Sequence, residues 1–278
     1  MRLLPTLFPA VFLAIPLCGP GGGPSPGDPR TAEVELTPDT TFALPRILNE
    51  ISGLAWSTEG HLLAVQDEEG DLFGLDPTSG EILFRAEFAS DGDFEGVAVG
   101  ADRVFVLRSD GRVYETAVPA HPGGDQPARR VAVDLPGGCD AESIDVAQAE
   151  LRIGCKEAAG RGLGRVRAVY RVPLERLAEA GRSVAADLLW TLSHEDAGLR
   201  RGSFKPSGMT HTDSHVYLVS SVSSTLHRLD PSGTITESWT LPLPQPEGVA
   251  VAPDGTVYVA SEGAGSKARL AVFRGLVR

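Results

Sequence analysis

Ile51-Ser52-Gly53-Leu54-Ala55, Phe94-Glu95-Gly96-Val97-Ala98, Ala141-Glu142-Ser143-Ile144-Asp145, Pro206-Ser207-Gly208-Met209 and Pro246-Glu247-Gly248-Val249-Ala250 are five versions of one phrase. Each opens on a polar Ser or Glu and runs on into an apolar strand. The copies recur at intervals of 40 to 47 residues, with a longer interval of 65 between Glu142 and Ser207. Self-similarity at this period marks a β-propeller, whose repeat is a four-stranded blade that cannot bury its apolar faces alone.

Reading outward from each phrase, short apolar runs alternate with Gly, Pro, Asp and Ser turns. The first repeat divides into strands at 52–56, 61–66, 71–76 and 81–88, and the second into 95–99, 103–108, 112–118 and 128–135. The third takes 142–147, 150–156, 165–172 and 185–192, with a short helix at 173–181 that begins on Pro and ends on Gly. The fourth gives 207–212, 215–221, 225–230 and 235–241; the fifth has only three strands, at 247–252, 256–261 and 269–273. The expected architecture is therefore an all-β propeller of five four-stranded blades. A sixth, degenerate blade between residues 165 and 204 is the alternative. The strand missing from the fifth blade is expected from residues 32–36, which would lock the last blade to the N-terminal segment and leave no free edge.

The 278 residues are 42% hydrophobic, enough for a sizeable core, and the repeats make residues 32–278 one propeller domain. Acidic residues outnumber basic ones by 37 to 25, for a net charge of −12. This balance speaks against nucleic acid and anionic lipid as general partners and makes a cation the easier guest. A monomer is expected. Residues 3–17 form an apolar run behind Arg2, broken by Pro5, Pro9 and Pro16. That run is too short to span a bilayer and is the right length for a signal-peptide core, so residues 1–18 are read as a signal peptide or membrane anchor. Residues 19–31 are a Gly/Pro-rich linker. Cys18 would carry a lipid tether, although Leu17 is a poor cleavage residue, and lipidation, simple secretion and an uncleaved anchor all stay open. The chain is thus expected to be exported to the cell envelope. Cys139 and Cys155 would lie at one end of a hairpin, where a disulfide and two free thiols are both possible.

In a propeller the first strand of each blade lines the central channel. Ser52, Glu95, Glu142, Ser207 and Glu247 are therefore expected to form one ring at one mouth. Three carboxylates in a narrow channel repel and raise one another's pKa unless a cation neutralises them, so Glu95, Glu142 and Glu247 are candidate ligands for Ca²⁺. They can equally cap neighbouring backbone and hold blades together. The second strands run back to the same mouth and add Asp67, Arg108, Lys156, Glu157 and Glu262, which with Ser52 and Ser207 make the candidate ligand-binding set. Arg108 and Lys156 are the candidate counter-charges, and with them the ring becomes an internal salt-bridge network. Asp91, Asp93 and Glu95 alternate like a calcium loop but lack the EF-hand spacing. His194, His211, His215 and His227 show no zinc-binding pair spacing and read as surface or turn residues. Nucleophile-elbow, P-loop and dinucleotide motifs are absent.

Taken together, Ile51 to Trp56, Cys139 to Ser143 with Cys155-Lys156-Glu157, Val169-Tyr170-Arg171-Val172, and Pro246 to Ala250 with Val257 to Glu262 resemble the SdiA-regulated, YjiK-like family of bacterial envelope proteins. The resemblance covers residues 50–273. It implies a β-propeller and export or membrane association, and it supplies no reaction. The chain departs from the family where Ala141-Glu142-Ser143 replaces Phe-Glu-Gly, and where Ser109-Asp110 replaces an acidic pair. A weaker likeness links the Glu-Gly repeats to phytase-like and lactonase-type propellers. Two functions follow as expectations. One is an envelope propeller that binds a ligand, with or without Ca²⁺, at the channel mouth. The alternative is a calcium-dependent phosphoesterase or lactonase-type hydrolase, with Asp67 or Glu262 as base.

Overall fold

Each repeat phrase becomes the innermost strand of a small antiparallel sheet, and five such sheets make up the fold. The structure, a computed structural model, describes residues 34–277 apart from 101, 119–125, 158–159, 201 and 264. The expected signal segment, Cys18 and the Gly/Pro-rich linker lie outside the described residues. Among the described residues no helix is long and apolar enough to cross a membrane.

Blade I consists of Ile51–Trp56, Leu62–Gln66, Asp71–Leu75 and Ile82–Glu87, and blade II of Phe94–Gly100, Arg103–Arg108, Arg112–Ala117 and Arg129–Asp134. Blade III is built from Ala141–Ala147, Glu150–Cys155, Val166–Pro173 and Asp187–Ser193, and blade IV from Pro206–His211, Val216–Ser220, Thr225–Leu229 and Ile235–Thr240. Blade V has Pro246–Val251, Val257–Ser261 and Arg269–Phe273, completed by Thr40–Ala43. Each innermost strand packs on the next, and the fifth returns to the first. Apolar side chains collect at the five seams. Phe73 and Tyr258 meet between blades V and I, Phe94 and Tyr114 between I and II, and Tyr217 and Phe273 between IV and V. Burying one such side chain contributes about 1.5–3 kcal/mol, so the seams bind each blade to the next. Innermost strands are covered on both faces: all seven residues of Ala141–Ala147 are buried.

An N-terminal strand closes the fold, from a different segment than expected. Thr40–Ala43 pairs antiparallel with Arg269–Phe273, setting Phe42 opposite Leu270. Val34–Glu35, within the 32–36 segment assigned to that place, instead runs parallel to Ile235–Thr240 as a fifth strand of blade IV. The reason is burial. Phe42 and Leu44, two residues apart on one face, pack into the seam between blades V and I, whereas Val34 and Glu35 remain exposed.

The long interval before Ser207 holds no sixth blade. It contains the helix Leu174–Glu179 and a strand, Ser183–Ala185, that crosses to pair in parallel with Arg129–Asp134 of blade II. The outer strand expected at 185–192 accordingly splits: Val184 fills the seam between blades II and III, and Asp187–Ser193 stays in blade III. Cys139 and Cys155 form a disulfide, with Cα atoms 5.1 Å apart, across the mouth end of blade III.

The Gly of the repeat is set by the approach of neighbouring innermost strands. A Cβ on Gly53 would stand 2.7 Å from Gly96 Cα, and one on Gly248 would stand 2.7 Å from Leu54 Cβ. Backbone cannot yield as a flexible side chain does. Gly53→Ala is expected to destabilise the fold by about 1–3 kcal/mol in urea titrations. Gly137→Ala, where a Cβ meets nothing within 4 Å, should stay within about 0.5 kcal/mol of wild type.

Candidate channel-mouth site

Pairing between the first two strands slips by one residue in every blade. Ile51 pairs with Gln66 and Gly53 with Val65, which leaves Ser52 unpaired. Glu95, Glu142, Ser207 and Glu247 are skipped in the same way. A β-bulge re-aims the side chain it leaves out of the ladder. All five polar residues expected to meet do meet, lining one cavity of about 10 Å³ on the channel. A space that size holds a single ion or water-sized group and falls far short of the ~300 Å³ at which ordinary small-molecule pockets begin.

The two serines and the three glutamates divide the work. Ser52 Oγ donates to the Phe94 carbonyl at 2.6 Å, and Ser207 Oγ donates to the Pro246 carbonyl at 2.7 Å. Each serine thus fastens its blade to the residue just before the next blade's glutamate. The glutamates face one cation: Lys156 Nζ donates to Glu142 Oε2 at 3.0 Å and also attracts Glu247 and Glu95.

Burial dominates the charge state of the ring. It pushes the Glu95 carboxyl up to about 9, helped by the nearby Glu142 and Asp93. Burial likewise lifts Glu247 to about 8, with Lys156 opposing and Glu142 and Glu262 adding to the rise. Glu142 is also raised by burial, against the pull of its Lys156 partner. Lys156 loses solvation too, yet the carboxylates of Glu142, Glu247 and Glu95 outweigh that loss and hold its pKa above the usual lysine value. Near neutral pH one ion pair, Glu142 with Lys156, is therefore flanked by two protonated carboxyls.

The rim adds more acid. Burial, then Glu50, Glu262 and other acidic neighbours, raise Asp67 to about 6, and its Oδ1 is buried without a hydrogen-bond partner. Glu262 is raised by burial and accepts from Gln245 Nε2 at 3.0 Å. Of the expected counter-charges only Lys156 reaches the ring. Arg108 is engaged by Asp110, with Nε donating to Oδ1 at 3.0 Å, because the tight turn at Gly111 (φ +81°) returns the Asp110 carboxylate to it. Glu157 turns to Lys205 and Arg167. Asp93, hydrogen-bonded to Glu95, was not placed in the ring from sequence, since it enters from the loop between two repeats. Among the described residues no three His, Cys, Asp or Glu side chains are placed to share a metal ion, and Lys156 supplies the positive charge the carboxylates require.

Two histidines depart from the surface reading. His227 is fully buried between Thr225 Oγ1 and Ser238 Oγ, each 2.8 Å away, and burial lowers its pKa to about 4. His211 lies on an innermost strand and pairs with Asp145.

The N-terminal strands, the first blade and the three inner strands of the second hold the part of this arrangement that is shared with a known family. Residues 33–122 match the SdiA-regulated family. Over those residues the match bears out the resemblance read from the repeats, and the five-bladed fold agrees with it. No curated protein matches the chain in sequence. Among solved structures, the glutaminyl cyclase of Myxococcus xanthus superposes with a TM-score of 0.57 at 14% identity, over 85% of this chain and 97% of that one. A luciferin-regenerating enzyme superposes with a TM-score of 0.53 at 11% identity, over 85% and 95%. At these identities the likeness is one of fold.

A raised carboxyl pKa has a definite sign in stability. Unfolded Glu247 ionises near 4.5 and folded Glu247 near 8, so across that window the unfolded state sheds its proton first and stability falls as pH rises. Glu247→Gln should remove part of that fall and raise Tm at pH 8 by roughly 2–4 °C over wild type. Calorimetric melts of both proteins from pH 5 to 8 test this, and a wild-type Tm that climbs across the range would contradict it.

Proposed function

We propose that this SdiA-regulated propeller is an exported, monomeric envelope protein whose channel mouth binds a small cation. The favoured guest is the ammonium head of an organic ligand. The observation that carries this reading is the ratio at the ring: three buried carboxylates share one lysine, and two of them hold protons that a second cation would displace. The rim extends the same field through Asp67 and Glu262. Ca²⁺ is the competing guest. Glu95, Glu142 and Glu247 would have to close on it, since their present placement forms no ready ligand set. Export is supported by the apolar run at residues 3–17 and by the Cys139–Cys155 disulfide, a bond that persists in oxidising compartments.

Calorimetric titration with spermidine, cadaverine and Ca²⁺ tests the proposal. Because Glu95 and Glu247 must ionise to accept the cation, binding should be at least about tenfold tighter at pH 8.5 than at pH 6 and should release protons to the buffer. The double change Glu95→Gln, Glu247→Gln should abolish it. No binding heat with any of the three would refute the reading. Turnover of an aryl ester, lactone or phosphate ester only in the presence of Ca²⁺, with Asp67 as base, would replace it with the hydrolase.

A further inference from the structure

A cleft between blades III and IV carries the charge opposite to that of the ring. It lies where Val166–Pro173 begins and Asp187–Ser193 ends, strands that pair there with Val166 opposite Ser193, and it is bordered by the segment leading into Pro206–His211. The ionisable residues of its wall are Arg165, Arg167 and His194, all basic, and Gly164, Gly202 and Phe204 complete it. The two segments that build it, 157–167 and 194–205, carry six Arg or Lys against three acids, on a chain whose net charge is −12. At physiological salt the Debye length is about 8 Å, so the charges of the cleft itself, and not the acidic remainder of the surface, decide what it holds.

The two arginines are prepared in different ways. Arg167 is fixed and desolvated: its side chain is only 12% exposed, and its Nε donates to the Phe204 carbonyl at 3.1 Å, tying blade III to the approach to blade IV. Nη1 makes a longer contact, 3.4 Å, with the Val166 carbonyl. Nη2 meets no hydrogen-bond acceptor among the described residues. The Glu157 carboxylate stands 3.8 Å from it, beyond hydrogen-bond range, and is engaged by Lys205. Burial lowers the Arg167 pKa, as expected of a guanidinium whose lost hydration no bonded carboxylate replaces. Arg165 is exposed, with neither a hydrogen bond nor an ion pair among the described residues. His194 faces Glu195 at 3.9 Å, and that carboxylate is 86% exposed.

A held guanidinium with donors unused, a second one within the same wall and no carboxylate between them are the elements of an oxyanion site. Size narrows the choice of guest. About 80 Å³ accommodates several waters or one tetrahedral oxyanion, and falls far short of the ~300 Å³ at which ordinary small-molecule pockets begin. A body attached to such a head must lie outside the cleft.

We propose that this cleft binds a phosphate group, free or as the head of a phosphomonoester. Arg167 is the fixed donor, Arg165 closes on the oxyanion from the solvent side, and His194 donates from the end of blade III. Nothing in this assignment depends on the cation reading of the channel mouth.

Calorimetric titration of the folded, disulfide-bonded protein with inorganic phosphate, at an ionic strength held constant with sodium chloride, tests it. One site per chain is expected. Arg165→Gln, a change on an exposed side chain, should weaken phosphate at least about tenfold, as loss of a hydrogen bond between charged groups requires. Arg130→Gln, on an exposed arginine of blade II, should leave it unchanged. The wild-type protein supplies a readout free of folding effects: in ¹⁵N spectra of arginine-labelled protein, phosphate should shift Nε of Arg165 and Arg167 and leave Arg130 in place. Glycerol phosphate, and phosphatidylcholine vesicles with and without phosphatidic acid, then separate the two sources of the head. Binding of the soluble ester alone assigns a free phosphoester, and cosedimentation that requires both phosphatidic acid and Arg165 assigns a membrane headgroup. No binding at millimolar phosphate, equal weakening by Arg130→Gln, or unmoved Arg165 and Arg167 signals would each overturn the proposal.

Discussion

In every blade the residue that opens the repeat is left unpaired by a bulge, so its side chain turns out of the ladder toward the channel. Five independent slips at one level bring Ser52, Glu95, Glu142, Ser207 and Glu247 together from positions spread over the chain. The adjacent glycines let the strands close around that level, since a Cβ on Gly53 or Gly248 would strike the neighbouring blade. Bulge and glycine are thus two halves of one device. The first aims a polar side chain inward, and the second keeps the ring narrow enough for those side chains to interact.

Narrowness governs the electrostatics. Solvated carboxylates at this spacing would cost little, whereas buried ones resist ionisation and lean on any cation within reach. Lys156 is that cation, held at the end of the strand that returns beside Glu142 and just after the Cys139–Cys155 bridge. Its single charge satisfies Glu142 and leaves Glu95 and Glu247 protonated near neutrality. The serines stabilise by a different route, each donating to the carbonyl that precedes the next glutamate. The ring is therefore a structural joint at two positions and a reservoir of displaceable protons at two others.

Much of this was legible in the sequence because the repeat is local. Five phrases with a polar lead, a glycine and an apolar run gave the blade number, the ring and the returning second strands that carry Lys156. What sequence did not reveal depends on packing between distant segments. Residues 32–36 and 40–43 are both plausible closing strands, and only the seating of Phe42 and Leu44 in the first seam selects the second. Arg108 read as a counter-charge because its position on the second strand matches that of Lys156, yet the Gly111 turn offers it Asp110 two residues away. Asp145 and His211 sit inside two repeats 66 residues apart, and periodicity carries no sign that they meet.

The central claim is that three buried carboxylates share one ammonium, so that two of them stay protonated near neutral pH. Carboxyl ¹³C titration of glutamate-labelled protein, with Glu95, Glu142 and Glu247 assigned by single Gln substitutions, measures this directly. The account predicts that Glu95 titrates near 9 and Glu247 near 8. It is contradicted if both titrate near the ordinary glutamate value of 4.5.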